Sequence, residues 1–125
     1  MENKTRILIV DDDSIVRENL VAFLEDEDFL VDSVKDAEEG LKRIEDNSYD
    51  IAIVDMRLPG IDGSQFIIKT NEMSPNTKFI IHTGSTNFSL NQKLKDLGIT
   101  KKELFMKPIR DMNTFVEEIK ELIND

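Results

Sequence analysis

Two short runs of apolar residues, each followed at once by aspartate, constrain the fold of this 125-residue chain more than any other feature. Residues 7–10 precede three consecutive aspartates, and residues 51–54 precede Asp55. Continuous rather than alternating apolarity is typical of strands that are buried on both faces of a parallel sheet. Ligands of open α/β sheets bind beyond the carboxyl ends of the strands, so we expect these acids to line a binding site.

Apolar runs alternate with amphipathic segments along the whole chain, which predicts five β-α units with right-handed crossovers. The predicted strands cover residues 6–10, 29–34, 51–54, 78–82 and 104–106. The second strand contains polar Asp32 and Ser33, which indicates an edge position. The predicted helices cover residues 14–27, a segment after Asp36, residues 63–73, a segment with Leu90, Leu94 and Leu97, and residues 113–123.

Local signals mark the ends of these segments. Asp13 or Ser14 is a suitable N-cap for the first helix. Asp36, followed three residues later by Glu39, resembles a capping box that opens the second helix. The small and polar residues 84–87 predict a mobile loop before the fourth helix, which should end at Gly98.

Composition narrows the classes of function. The chain has no cysteine, which excludes disulfides and thiolate metal sites. Its net charge of -10 would repel nucleic-acid phosphates and anionic lipids, so we expect neither nucleic-acid nor membrane binding by this chain. The apolar run of residues 7–10 is too short for a signal peptide, and we expect a cytoplasmic protein with a single domain over residues 1–125.

The residues that end the predicted strands share one chemistry, that of a phosphate site with a divalent cation. Crowded carboxylates repel one another unless a cation neutralises them, and oxygen-only ligands suit Mg²⁺. A carboxylate can attack phosphorus and form an acyl phosphate, provided that the phosphoryl oxygens are neutralised. Lys107 can supply a positive charge and Thr83 a hydroxyl donor. The residues concerned are Asp11, Asp12, Asp13, Asp55, Thr83 and Lys107.

Four segments, in this order, make the chain resemble the receiver domain of two-component response regulators over essentially its whole length. They are ILIVDDDS, IVDMRLPGIDG, IIHTGS and MKP. The resemblance implies a flavodoxin-like (βα)5 fold, a doubly wound α/β fold with a five-stranded parallel sheet in the order 2-1-3-4-5.

The resemblance also implies roles for individual residues. Asp55 would be the phosphoacceptor, Thr83 the switch hydroxyl and Lys107 the phosphate-binding residue. The metal ligands for Mg²⁺ would be Asp12, Asp55, the backbone carbonyl of Arg57 and, through water, Asp11. The implied partners are a histidine kinase or histidine phosphotransfer protein as phosphodonor and a downstream effector protein or domain. A homodimer formed on phosphorylation is left open.

Two features depart from the pattern of that family. Leu104 stands three residues before Lys107, where an aromatic residue is usual, and Phe105 should face the opposite side of the strand. The stretch between Thr83 and Lys107 is slightly long, which predicts a displaced or frayed fourth helix.

Simpler roles compete with the functional ones at several positions. We expect Asp13 to cap a helix rather than bind metal, and we expect His82 to have an ordinary hydrogen-bond partner. Ser85 and Thr86 are alternative hydroxyls, but Thr83 alone ends the strand. Arg57 could reach over the acyl phosphate, although a solvated loop position is the simpler interpretation.

Three functions fit these residues. The first is a signalling switch, in which phosphorylation of Asp55 changes a protein interaction and the domain catalyses only its own phosphoryl transfer and dephosphorylation. The second is a phosphatase of the haloacid dehalogenase type, in which Asp11 would be the nucleophile and Asp13 the acid-base group. The third is a receiver that is never phosphorylated and serves as a docking module.

Overall fold

The computed structural model, which describes residues 4–85 and 88–124, contains one sheet of five parallel strands. The strands are β1 (Arg6–Val10), β2 (Leu30–Val34), β3 (Ile51–Val54), β4 (Lys78–Thr83) and β5 (Leu104–Met106). Their order across the sheet is β2-β1-β3-β4-β5, which confirms the flavodoxin-like topology and the edge position of β2.

Helices cover both faces of this sheet. They are α1 (Ser14–Asp26), α2 (Ala37–Asp46), α3 (Gly63–Met73), α4 (Gln92–Asp96) and α5 (Met112–Ile123), and a short 3-10 turn (Lys101–Glu103) precedes β5. One apolar cluster joins the sheet to α2, α3 and α4, with Phe66 fully buried in it. A second cluster joins the other face to α1 and α5, with Phe115 fully buried. This two-sided burial explains the continuous apolarity of β1 and β3.

Side-chain caps fix where the helices begin. The Asp13 carboxylate accepts the N–H groups of Ile15 and Val16, and the Asp36 carboxylate accepts that of Glu39. In a full capping box the Glu39 carboxylate would also accept the N–H of Asp36. Here its Oε2 instead accepts the N–H of Lys35, at 3.5 Å.

The fourth helix is shorter than the sequence predicts. Asn91 caps it by accepting the N–H of Leu94, so Leu90 lies before the helix and packs against the first apolar cluster from a loop. Gly98, with φ +90°, follows the helix as expected. Of the predicted mobile loop, Thr86 and Asn87 lie outside the described residues.

Candidate functional site

Parallel pairing brings the acids of β1 and β3 to one edge of the sheet. Val10 is in register with Val54, so Asp11 and Asp55 follow neighbouring strands at the same level. Carboxylate oxygens of Asp11, Asp12 and Asp55 all lie within 4.8 Å of one another. Asp11 and Asp55 are buried, whereas Asp12 is exposed, so the cluster is open to solvent on one side.

Lys107 reaches this cluster from the end of β5. Its ammonium nitrogen lies 2.8 Å from Oδ2 of Asp11 and 3.0 Å from Oδ2 of Asp55. The backbone N–H of Lys107 donates to the carbonyl of Thr83 at 2.8 Å, which fixes the lysine to the end of the neighbouring strand. The Lys107–Pro108 peptide bond is cis. The ammonium therefore bridges the two buried carboxylates.

Burial and the neighbouring charges shift the pKa values of Asp11 and Lys107 in opposite directions. Burial raises the pKa of Asp11, and the hydrogen bonds from Lys107 and from the backbone of Asp13 offset only part of that increase. For Lys107, burial alone would lower the pKa, but the hydrogen bonds to Asp11 and Asp55 outweigh it and raise the pKa. Lys107 is thus held as a cation, and its charge offsets only part of the effect of burial on the pKa of Asp11.

The loop that carries Asp11 and Asp12 is tied to helix α1. The carboxylate of Asp11 accepts the N–H of Asp13 at 2.9 Å, and its carbonyl accepts Nη1 of Arg17 at 2.7 Å. Asp13 itself caps α1 and does not belong to the carboxylate cluster, as its sequence position predicts. Sequence reasoning missed Arg17, because no motif marks a contact between an arginine and a carbonyl six residues earlier.

The loop after Asp55 is closely packed. Oδ1 of Asp55 accepts the N–H of Arg57 at 3.1 Å, and the side chain of Arg57 is exposed, in agreement with a solvated position. A Cβ at Gly63, the first residue of α3, would lie 2.3 Å from the carbonyl oxygen of Asp55 and 2.8 Å from Cα of Met56. Only glycine lets α3 begin so close to the strand end, and so Gly63 helps to fix the position of Asp55.

Thr83 ends strand β4 and is fully buried. Its hydroxyl oxygen accepts the N–H of Ser85 at 3.2 Å, and the hydroxyl hydrogen can rotate toward a group at the strand edge. Ser85 follows the strand in the loop, and the alternative hydroxyl at Thr86 lies outside the described residues.

The prediction for His82 is wrong in one respect. His82 is a buried strand residue, as expected, but neither ring nitrogen has a hydrogen-bond partner among the described residues. Burial, followed by the positive charge of Lys107, lowers the pKa of His82 to about 4. The imidazole is therefore neutral, and it lies beside Lys107 in a groove that Val16 and Leu20 of α1 also line.

Comparison with known proteins agrees with this geometry. The sequence model of the response regulator receiver domain family matches residues 7–120. Two-component response regulator PhoP of Pseudomonas aeruginosa is 29% identical over 105 residues, which are 84% of this chain and 46% of PhoP. Transcriptional regulatory protein YesN of Bacillus subtilis is 26% identical over 121 residues, which are 94% of this chain and 32% of YesN. The chain thus spans less than half the length of these curated relatives.

Solved structures give the same result. A CheY-like response regulator receiver domain protein from Methanospirillum hungatei superposes with a TM-score of 0.81 at 29% identity, covering 98% of this chain and 95% of that chain. Response regulator protein TrrA from Thermotoga maritima, in complex with Mg(2+)-BeF, superposes with a TM-score of 0.79 at 26% identity, covering 94% and 98%. None of the helices in the described part of this chain has the length and apolarity that a membrane crossing requires.

Proposed function

This chain belongs to the response regulator receiver domain family, a class of signalling domains, and we propose that its Asp55 carboxylate accepts a phosphoryl group in a Mg²⁺-dependent step. The observation that carries the proposal is the bridge made by Lys107, whose ammonium lies within 3.0 Å of Asp55 and also contacts Asp11. A cation at this position can neutralise the oxygens of a phosphoryl group on Asp55.

The donor set fits Mg²⁺. It consists of oxygen atoms alone, and three carboxylates offer ligand atoms within 4.8 Å of one another. We assign direct contacts to Asp12, Asp55 and the backbone carbonyl of Arg57, and a contact through water to Asp11. When bound, Mg²⁺ would supply charge neutralisation for the transferred phosphoryl oxygens.

Side chains of this protein carry out the other parts of the phosphoryl transfer. An oxygen of Asp55 forms a bond to phosphorus while the bond from phosphorus to the donor atom breaks, and the donor atom keeps the electron pair. Lys107 transfers its contact from the Asp55 carboxylate to a phosphoryl oxygen, and the Thr83 hydroxyl donates to a second one.

The partners follow from this chemistry. A histidine kinase or a histidine phosphotransfer protein would supply the phosphoryl group, and a downstream effector protein or domain would respond to it. Phosphorylation adds negative charge beside Thr83 and Lys107, so the loop after β4 and the end of β5 are the segments that the modification acts on first. Homodimerisation on phosphorylation is a further form that the output could take.

Mapping the modified residue tests the proposal. We expect acetyl phosphate and Mg²⁺ to add one phosphoryl group to Asp55, detected by mass spectrometry after trapping of the acyl phosphate. The variant Asp55→Asn should take no label, whereas Asp26→Asn, which changes an exposed acid at the end of α1, should be labelled like the wild type. EDTA should abolish labelling of the wild type and of Asp26→Asn.

Other outcomes would contradict the proposal in distinct ways. Label on Asp11, with turnover of small phosphate esters, would indicate a phosphatase of the haloacid dehalogenase type. Absence of label with any phosphodonor, together with no stabilisation by Mg²⁺ in a thermal melt, would indicate a docking module that is never phosphorylated.

A further inference from the structure

Arg17 on helix α1 holds the backbone of the loop that carries Asp11 and Asp12. Its Nη1 donates to the carbonyl oxygen of Asp11 at 2.7 Å. A guanidinium keeps its charge at every pH of interest, and a hydrogen bond from a charged donor is stronger than one between neutral groups. This bond therefore ties the end of β1 to the helix that follows it.

Helix α1 gives the Arg17 side chain a fixed base. The backbone N–H of Arg17 donates to the carbonyl of Asp13 at 3.0 Å, in the first turn of the helix. The Asp13 carboxylate caps the same turn by accepting the N–H groups of Ile15 and Val16. The side chain of Arg17 is half-buried. The guanidinium thus reaches Asp11 from a position that the helix determines.

The other polar groups of Asp11 are also engaged. Its N–H donates to the carbonyl of Val34 at 3.2 Å, and its carboxylate accepts the N–H of Asp13 at 2.9 Å and contacts Lys107. Its carbonyl belongs to the planar peptide unit that continues to the nitrogen and Cα of Asp12. By holding this carbonyl, Arg17 sets the direction in which the chain enters Asp12.

Asp12 depends on this peptide unit for the direction of its carboxylate. Its side chain is exposed, whereas Asp11 and Asp55 are buried. Packing confines the two buried acids, but the exposed one is positioned mainly by the backbone to which it is attached. A carboxylate oxygen of Asp12 nevertheless lies within 4.8 Å of those of Asp11 and Asp55.

We propose that Arg17 is a positioning residue for the metal site, and that its hydrogen bond to the carbonyl of Asp11 directs Asp12 toward the acid cluster and so strengthens the binding of Mg²⁺. This inference rests on the function proposed above, in which Asp12 is a direct ligand of the ion. Arg17 itself touches neither the ion nor the phosphoryl group.

The charge of Arg17 acts against this role. A guanidinium near the acid cluster repels a second cation, so a purely electrostatic effect of Arg17 would weaken the binding of Mg²⁺. Removal of the side chain should then strengthen binding. A positioning effect predicts the opposite sign, and the sign of the change therefore decides between the two roles.

Calorimetric titration with Mg²⁺ measures that sign. In Arg17→Met the dissociation constant should rise about tenfold, the lower end of the loss of affinity when a group that orients a metal ligand is removed. Arg17→Lys keeps a charged donor and should bind Mg²⁺ more tightly than Arg17→Met. The control Arg110→Met removes an arginine from an exposed position in the loop after β5 and should not raise the dissociation constant. An unchanged or lower dissociation constant in Arg17→Met would overturn the proposal.

The Mg²⁺ dependence of labelling gives a second readout. Because Arg17 acts through metal affinity, Arg17→Met should need about tenfold more Mg²⁺ for half-maximal labelling of Asp55 by acetyl phosphate. At saturating Mg²⁺ its rate should match that of the wild type. A slower rate at saturating Mg²⁺, with an unchanged requirement for the ion, would contradict a positioning role at the metal site.

A measurement without metal tests the backbone contact itself. In EDTA, nitrogen relaxation should show a lower order parameter for the Asp12 amide in Arg17→Met than in the wild type, while the amides of α3 and α5 keep theirs. Unchanged order at Asp12, or a loss of order over the whole chain, would refute the positioning role. This readout does not depend on phosphorylation of Asp55, so failure of this inference can be told apart from failure of the proposed function.

Discussion

Replacing Lys107 with methionine should destabilise the protein and at the same time strengthen its binding of Mg²⁺. Lys107 is the cation that contacts both Asp11 and Asp55, and the two acid side chains are only 2% and 6% exposed. Removing one partner of a buried charge pair typically costs about 3–5 kcal/mol, because the remaining charge is left uncompensated. The lysine side chain is 20% exposed, so we expect a loss near the lower end, about 3 kcal/mol at neutral pH.

Mg²⁺ should offset part of this loss, since it would add positive charge beside carboxylates that have lost their counterion. In the wild type the ammonium of Lys107, 2.8 and 3.0 Å from Oδ2 of Asp11 and Asp55, repels a second cation nearby, and this repulsion weakens Mg²⁺ binding. A coupling of about 1–3 kcal/mol corresponds to a change of about 5- to 150-fold in affinity. We therefore expect the dissociation constant for Mg²⁺ to fall at least about fivefold in Lys107→Met.

Urea unfolding in EDTA and a calorimetric titration with Mg²⁺ measure the two effects separately. Lys93→Met is a matched control, because it removes the same charge from an exposed position on α4. It should change the free energy of unfolding by less than about 0.5 kcal/mol. Unchanged stability of Lys107→Met in EDTA, or weaker binding of Mg²⁺, would refute the assignment of Lys107 as the counterion of the acid cluster.

Three further predictions test other parts of the structure. Asp13→Ala removes the cap of α1 and should cost about 1 kcal/mol in urea unfolding with Mg²⁺ affinity preserved, whereas Asp12→Ala should weaken Mg²⁺ binding with little effect on stability. Gly63→Ala forces the backbone at Asp55 to move, so it should lower the free energy of unfolding by about 1–3 kcal/mol and abolish labelling of Asp55. Gly84→Ala is the control and should leave stability unchanged, because a Cβ there meets only Lys107, at 3.9 Å. Burial and then the hydrogen bond to Asp32 raise the pKa of Tyr49 from 10.0 to about 12, so stability should fall as the pH rises through that interval, and Tyr49→Phe should remove this loss in alkaline melts.

The carboxylate cluster was predictable because it depends on chain topology more than on side-chain detail. Two continuous apolar runs indicate buried parallel strands, and parallel strands necessarily end at the same edge. The acids that follow β1 and β3 were thus expected to meet, and they do. The order of the strands could not be predicted in this way, because the periodicity of the sequence does not determine it. The prediction of that order came from the resemblance to the receiver domain family.

Features that depend on contacts between distant side chains were not predictable from the sequence. Among the described residues His82 has no hydrogen-bond partner because of what packs around β4, and a histidine in the sequence gives no sign of its neighbours. Glu103 precedes β5 and Glu118 lies on α5, and only the fold brings them to one cavity. The start of α4 was misplaced because Leu90 continues the helical spacing, while Asn91 offers a cap that stops the helix from extending past it.

Leu104, which stands where the family usually has an aromatic residue, can be interpreted from the side of the sheet on which it lies. Leu104 packs with the α2, α3 and α4 cluster, whereas Phe105 packs on the opposite face, with its ring 5.1 Å from that of Phe115 in an edge-on contact. An aromatic side chain still reaches the first cluster, because Phe88 packs there from the loop after β4. Its N–H donates to the carbonyl of Ser85, whose own N–H donates to the Thr83 hydroxyl. The aromatic residue that is linked to the Thr83 hydroxyl is therefore in the loop after β4 and not on strand β5, and the link consists of one backbone hydrogen bond and one from a backbone N–H to the hydroxyl.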